Sequence, residues 1–289
     1  MTTTTRPRRP RPAWLLLVPA LGLLAVVLLV PLGQSLVRSF GAPQFTLDHY
    51  AKLFTDGVTL TVLGRTAVTA VIVTIVAFLL GYPYAYLMTR VGPRLRGVML
   101  VIVLIPFWTS VMARNYAWIV LLQRGGPVQS VFEFFGAGDI AFQGSVLGVT
   151  IAMSQVLLPF MVLPLFSSLG AIDRRLLLAA RGLGSSPLVA FWKVYWPLSR
   201  GGVVSGLILV FTLSLGFYVT PALLGSPQQS LIAQLLAQRT TQLLDFAGAG
   251  ALGILVLVIT LALVAWANRF GGTISAIGVT STSPTKEQR

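Results

Sequence analysis

Three observations predict an all-α, polytopic membrane protein with six transmembrane helices. Of the 289 residues, 55% are hydrophobic and only 10% charged, far from the roughly 25% charged content of a soluble domain. Six apolar runs each reach the ~20 residues that a helix needs to cross a hydrocarbon core about 30 Å thick. None of them alternates apolar with polar residues as a barrel strand must.

The first run, residues 14–37, follows the basic stretch RPRRPRP. That order imitates a secretion signal, but the run is longer than an h-region and no A-x-A site closes it, so it is expected to remain as a span. The second run (66–88) is parted from the third (97–121) by Arg90, Arg94 and Arg96. The fourth covers 144–169, the fifth 202–224 and the sixth 246–268. Residues 1–12 and 272–289, rich in Thr, Pro, Ser and Gly, are expected as disordered tails on either side of a membrane domain at 13–271.

Direction follows from the basic residues. Arg38, Lys52, Arg65, Arg114, Arg124 and Arg239 fall on one side, and the remaining 15 of 21 on the other. The richer side is cytoplasmic by the positive-inside rule, which places both termini and both tails inside. Asp48, Asp56, Glu133, Asp139 and Asp245 then lie outside, with Asp173 and Glu287 inside. The rule also accounts for the net charge of +14, because the basic residues sit in short clusters between spans. Membrane lipid is the expected neighbour, and no nucleic acid.

Several classes of chemistry are excluded. With no cysteine and one histidine, thiolate and paired-imidazole metal sites cannot form, so neither metal ligands nor catalytic residues are expected. No G-x-x-x-x-G-K-[ST] loop occurs, and Lys52, Lys193 and Lys286 follow no glycine-rich turn, so the chain cannot hydrolyse ATP by itself. No Asp, Glu or Lys lies inside a run, which argues against a secondary transporter that loads and unloads buried ionisable groups. An integral-membrane enzyme is the other alternative. His49 beside Asp48 is its one candidate and reads more simply as an exposed loop residue.

Between the fourth and fifth runs lies AIDRRLLLAARGLGSSPLVAFWKVYWPL. Asp173 is expected to cap a short helix, and Gly182 and Gly184 to supply its left-handed stop. Ser185 or Ser186 then caps a second short helix with Pro187 at its first position, and Pro197 separates that helix from the fifth span. The pair carries Leu176, Leu177, Leu183, Leu188, Phe191, Val194 and Tyr195 as apolar surface. Such surface packs onto the chain's own spans, lies in the headgroups, or is buried against another body.

The spacing resembles the cytoplasmic signature of permease subunits in binding-protein-dependent ABC importers: E-A-A, three residues, Gly, nine residues, I-x-L-P. Ala179 and Ala180 fit the paired alanines, Gly184 the glycine, Val194 the isoleucine position and Pro197 the closing proline. Leu178 stands where the family has glutamate, and Trp196 where it has leucine. FWTSVMARNYAWIVLLQRGGPVQ (107–129) and GFYVTPALLGSPQQSLIAQLL (216–236) resemble the permeases of spermidine and putrescine importers. The likeness runs from about residue 14 to residue 270.

The resemblance implies a type I ABC importer permease fold in a bacterial inner membrane, paired with a second homologous permease. Two ATP-binding subunits would sit beneath the pair, and an extracytoplasmic solute-binding protein would deliver a small solute, on this likeness a polyamine. Residues 173–197 would be the coupling loop, with Leu178, Ala179, Ala180, Gly182, Gly184, Ser185, Val194 and Pro197 engaging or shaping the contact with the ATPase. The family's glutamate helps bind the ATPase, so Leu178 removes that polar contact and leaves the helical wedge. No cofactor is expected in this chain, since ATP would be bound by the partners.

Pathway candidates are fewer. Arg114 would line the path, pair with an outer carboxylate such as Asp245, or snorkel to the headgroups. Tyr82, Trp108, Tyr116, Trp118, Phe217 and Tyr218 would either anchor helices at the interface or offer ring faces to a cationic cargo. Pro83, Pro106, Pro159, Pro164 and Pro221 are expected bends. Gly202 and Gly206 form a small-xxx-small pair that favours close helix approach.

Overall fold

All regular structure among the described residues is helical. The computed structural model describes residues 18–41, 45–136 and 140–270, with the side chains of Arg174, Arg181 and 267–270 excepted. Both expected tails, the first four residues of the first run and Asp139 lie outside those residues. In chain order the elements are α1 (Val18–Ser39), α2 (Asp48–Thr55), α3 (Gly57–Arg90), α4 (Pro93–Trp108), α5 (Val111–Leu122), α6 (Pro127–Phe134) and α7 (Val146–Gly170). Then come α8 (Arg174–Gly182), α9 (Pro187–Ala190), a π-helical turn (Phe191–Tyr195), α10 (Trp196–Leu215), α11 (Val219–Leu224), a short 3-10 turn (Pro227–Gln229), α12 (Ile232–Thr241) and α13 (Phe246–Phe270).

Five stretches are long and apolar enough to cross a membrane singly: α1, α3, α7, 187–215 and α13. A sixth is the pair α4 and α5, bent by 100° at Thr109–Ser110. The third span, expected over 97–121 with a bend at Pro106, is therefore broken outright, and the break lies three residues beyond that proline. The apolar window is continuous across FWTSVM, yet the chain turns there because Thr109 leaves the helix with extended backbone angles.

The fifth span also differs from its expected bounds. Pro197 does not separate it from the preceding helix, since α9, the π turn and α10 run on as one stretch from Pro187 to Leu215. Proline lacks an amide hydrogen and its ring crowds the carbonyl four residues back. The π register relieves this, with Trp196 N–H donating to Phe191 O one residue further back than an α turn would. The span then ends at Gly216 rather than at Leu224. Lys193, expected outside any span, consequently lies within this helical stretch, on its exposed surface.

The chain divides into two compact units. Among the described residues, one holds 18–41, 45–60 and 236–258. Here the Ser39 hydroxyl and Tyr50 OH share a hydrogen bond at 2.8 Å, the Arg38 guanidinium lies 5.6 Å from the Phe246 ring centre, and Asp245 caps α13 by accepting from Gly248 N–H at 2.8 Å. Asp56 precedes α3, accepts from Val58 N–H at 3.1 Å, and pairs with Arg239 at 3.1 Å.

The Thr59 hydroxyl bond is the largest influence on the Asp56 carboxyl. Partial burial opposes it, and the Val58 and Thr59 amides and the Arg239 charge reinforce it, so that the carboxyl lies below its ordinary value of 3.8. Because the folded value is the lower one, the stabilisation is complete above 3.8 and is lost as pH falls below it. At this partly exposed position it amounts to about 1 kcal/mol or less. Asp56→Asn is expected to melt slightly below the parent at neutral pH. The gap in melting temperature should close on acidification below about pH 4.

The other unit holds the described residues of 61–235 and 259–270 and contains the main core. Met153, Leu157, Met161, Val162 and Leu165 of α7 are fully buried, with Val73, Ala77 and Met88 of α3 and Val210 of α10. Glycines let the helices meet. A Cβ at Gly81 would stand 2.9 Å from Met161 Cγ, and one at Gly202 would stand 2.4 Å from Ser168 Cβ.

Candidate functional site

The loop at 173–197 is built by two capping motifs. Asp173 accepts from Arg175 N–H at 2.9 Å as α8 begins. At the other end Gly184 takes φ +84°, and Ser185 N–H donates to Ala180 O at 3.1 Å, the six-to-one bond of a Schellman closure. Gly184 thus supplies the expected left-handed stop, whereas Gly182 is the last residue of α8 and has no positive φ. Of the two serine candidates Ser186 is the cap, its hydroxyl accepting from Val189 N–H at 3.3 Å. Pro187 occupies the first turn of α9 as expected.

The apolar residues of this loop divide between two faces. Leu177, Phe191 and the buried Tyr195 turn inward. Phe191 and Tyr195 meet Tyr82 and Tyr86 of α3, and Trp196 also meets Tyr82, with ring centres 5.3–6.3 Å apart in the pairs Tyr86–Tyr195, Tyr82–Phe191 and Tyr82–Trp196. Leu183 (88% exposed), Leu188 (71%) and Leu178 (64%) face outward with Leu176 and Trp192. Ala179 is exposed, Ala180 and Ser185 are half-exposed, Val194 is half-buried and Pro197 is exposed. One side of the loop is therefore anchored on the core, while the other presents leucines to its surroundings.

Tyr82, expected either to anchor a helix or to offer its ring to the cargo, lies in that anchoring cluster, and its OH is 3.3 Å from Ser199 Oγ. Its neighbours are the rings of the loop, which sequence periodicity could not bring to it.

Of the other pathway candidates, Trp108, Arg114 and Tyr116 lie at or near one helix break and Phe217 and Tyr218 at a second, while Trp118 lies within α5. At the first, Arg114 Nη1 donates to Pro106 O at 2.7 Å and the Thr109 hydroxyl to the same oxygen at 3.1 Å. The guanidinium closes the C-terminal end of α4, where unpaired carbonyls and the helix dipole favour a cation. Arg114 Nε is buried without a hydrogen-bond partner among the described residues. This bond inside the bend is none of the three readings given for Arg114, and Asp245 caps α13. Trp108 (75% exposed) and Tyr116 stand outward beside it.

Trp118 Nε1 donates to Gln155 Oε1 of α7 at 3.4 Å. At the second break, Phe217 is packed against the core and Tyr218 is exposed, and α11 beyond them packs on α5 and α7. Two further polar residues belong here, Gln155, and Asn115, which is buried and donates to Val111 O at 2.8 Å. Their signal is an uncharged amide in the middle of an apolar run. Among the described residues no cluster of three or more His, Cys, Asp or Glu gathers to hold a metal.

Arg114→Leu is expected to loosen the 100° bend, since the Pro106 carbonyl loses a charged donor worth about 1.5–3 kcal/mol. Solute uptake should fall roughly tenfold or more, with partner association unchanged, as checked by parallel uptake and pull-down measurements.

Residues 74–272 match the model of a family described as binding-protein-dependent transport system inner membrane component. The spermidine/putrescine transport system permease protein PotB of Haemophilus influenzae is 32% identical over 229 residues, covering 78% of each chain. A chain of a bacterial ABC transporter that imports the acidic polysaccharide alginate superposes with TM-score 0.73 at 18% identity, over 90% of this chain and 94% of that one. A second alginate ABC transporter structure, in complex with an alginate-bound periplasmic protein, gives 0.72 at 17% identity over 90% and 95%.

Proposed function

The chain belongs to the binding-protein-dependent transport system inner membrane components, and from that premise we propose how its parts serve import. It is a multi-pass, non-catalytic permease subunit of the inner membrane, with the type I ABC importer fold, and it works with a periplasmic binding protein. In the proposed assembly a second permease of the same fold completes the pathway, and two ATP-binding subunits lie beneath. Both termini are cytoplasmic in this reading, because the richer set of arginines then faces inward.

The observation that carries the mechanism is the exposed leucine face of α8 and the turn after it, opposite a face anchored on α3 by aromatic rings. An apolar face of this kind is stable when covered by a partner. An ATPase that covers it can push on α8, and the push passes through Leu177, Phe191 and Tyr195 into α3. It also passes along the continuous helix from Pro187 to Leu215. ATP is bound by the partner, and this chain converts movement of the loop into movement of spans.

The cargo we propose is a polyamine. The likeness to PotB supports this, and so do the exposed rings of Trp108, Tyr116 and Tyr218, whose faces attract ammonium groups without fixing them. The charge of Arg114 is engaged by the Pro106 carbonyl. The test is ATP-dependent uptake of labelled spermidine and putrescine into proteoliposomes holding the permease pair, the ATPase and the binding protein. Uptake of either polyamine, suppressed by excess of the other, is the expected result. Uptake of a different solute class with none of polyamine would refute the cargo.

A further inference from the structure

Where α3 ends, α4 begins and α7 ends, the structure encloses a cavity of about 120 Å³ lined by Thr89, Arg90, Arg96, Phe166, Gly170 and Tyr195 among others. By the same measure a single water needs roughly 10–15 Å³, so the space admits a tetrahedral oxyanion with its hydration. We propose that this cavity binds a phosphate group, from the headgroup of an anionic phospholipid or from a soluble phosphate.

Two guanidiniums line the cavity, and no carboxylate does among the described residues. Arg96 donates through Nε to Met88 O at 3.0 Å and through Nη2 to Val91 O at 3.3 Å. It thereby covers the carbonyl oxygens at the end of α3 that would otherwise repel an anion. Arg90 donates through Nη2 to Tyr86 OH at 2.9 Å and lies 4.9 Å from the centre of that ring. Each guanidinium carries five N–H donors in a fixed fork, so these bonds leave most of them for an acceptor from outside the chain. Among the described residues no acidic one lines the cavity. The Phe166 ring, 5.8 Å from the Arg96 guanidinium carbon, and the Tyr195 ring, 5.9 Å from that of Arg90, hold the two groups in place. Paired arginine forks match phosphate oxygens better than any other side-chain arrangement.

The place in the fold gives the site a consequence. Tyr195 belongs to the π turn against which α8 packs, so a phosphate bound here bears on the base of the loop. That the lipid would come from the cytoplasmic leaflet rests on the orientation proposed above. Binding itself does not, and it is measured independently.

The experiment places the purified full chain in nanodiscs of phosphatidylcholine, alone or mixed with phosphatidylglycerol. Native mass spectrometry counts retained anionic lipid, and inorganic phosphate is titrated into the pure phosphatidylcholine discs with melting temperature as readout. The parent chain is expected to retain phosphatidylglycerol or to be stabilised by phosphate, and the arm that responds identifies the source. Arg90→Gln with Arg96→Gln should weaken that binding about tenfold or more. Arg94→Gln, exposed on α4 and not among the lining residues, should leave it intact. If the double variant fails to fold, Arg90→Gln alone serves, because the Arg90 guanidinium bonds a side-chain hydroxyl, that of Tyr86, where Arg96 bonds two backbone carbonyls. Equal retention by parent and variant, an equal loss in Arg94→Gln, or no response in either arm would overturn the proposal.

Discussion

A Gly202→Leu variant is expected to lose about 3 kcal/mol of stability, the upper part of the overpacking range. Its melting temperature in mild detergent should drop by roughly 6–12 °C, at ~2–4 °C per kcal/mol for a chain of this size. The reason is the seam between α7 and α10. A Cβ at Gly202 would lie 2.4 Å from Ser168 Cβ and 2.9 Å from the Pro164 carbonyl oxygen, and backbone cannot move aside as a side-chain tip can. Gly202 N–H also donates to Ser168 Oγ at 3.3 Å, a bond that needs the helices this close. At Gly206 the nearest atom is the flexible Met161 Sδ at 2.8 Å, so Gly206→Ala should cost less. The neighbouring Gly201 has nothing within 4 Å. Gly201→Leu therefore controls for composition, and its melting temperature should stay near that of the parent.

Gly184→Val is expected to abolish most ATP-driven uptake while leaving the spans folded. At φ +84° a β-branched residue is strained by about 2 kcal/mol. The bond from Ser185 N–H to Ala180 O, which closes the end of α8, should give way. The loop would relax into a longer helix or an open turn, and the outward leucines would lose their common direction. Nothing lies within 4 Å of a Cβ at this position, so the effect is one of backbone conformation and not of crowding. Uptake in vesicles should fall roughly tenfold or more, with melting temperature lowered by no more than roughly 4–8 °C, the full strain at ~2–4 °C per kcal/mol, and by less where the loop relaxes. Gly182→Ala, at an ordinary helical position with equal space, should transport normally. That contrast separates two glycines which look alike in the sequence.

Span existence was legible because it depends on composition over some twenty residues, and hydropathy averages over that length. The ends of spans were not, because single bonds decide them. The break at Thr109–Ser110 lies inside an unbroken apolar window and is closed by Arg114 reaching back to the Pro106 carbonyl. Pro197 reads as a stop, yet a π turn accommodates it and the helix continues. The loop was more legible: Asp173, Gly184, Ser186 and Pro187 take the local roles that capping chemistry assigns to them. Which leucines face outward was not, because Tyr195 and Phe191 turn inward only where Tyr82 and Tyr86 of a distant span receive them. For the same reason Tyr82 belongs to the anchoring cluster, while Trp108, Arg114 and Tyr116 collect at the bend.

Coupling through the exposed leucines can be examined with a photoreactive residue at position 183 in the assembled, transport-active complex. Leu183 is 88% exposed at the tip of the loop, and irradiation should join this position to the ATP-hydrolysing subunit. The same residue at position 191, turned toward the chain's own α3, should not react with that subunit. Capture by position 183 of lipid or of this chain alone, in a complex that still imports solute, would contradict the assignment of this loop as the element that receives the force.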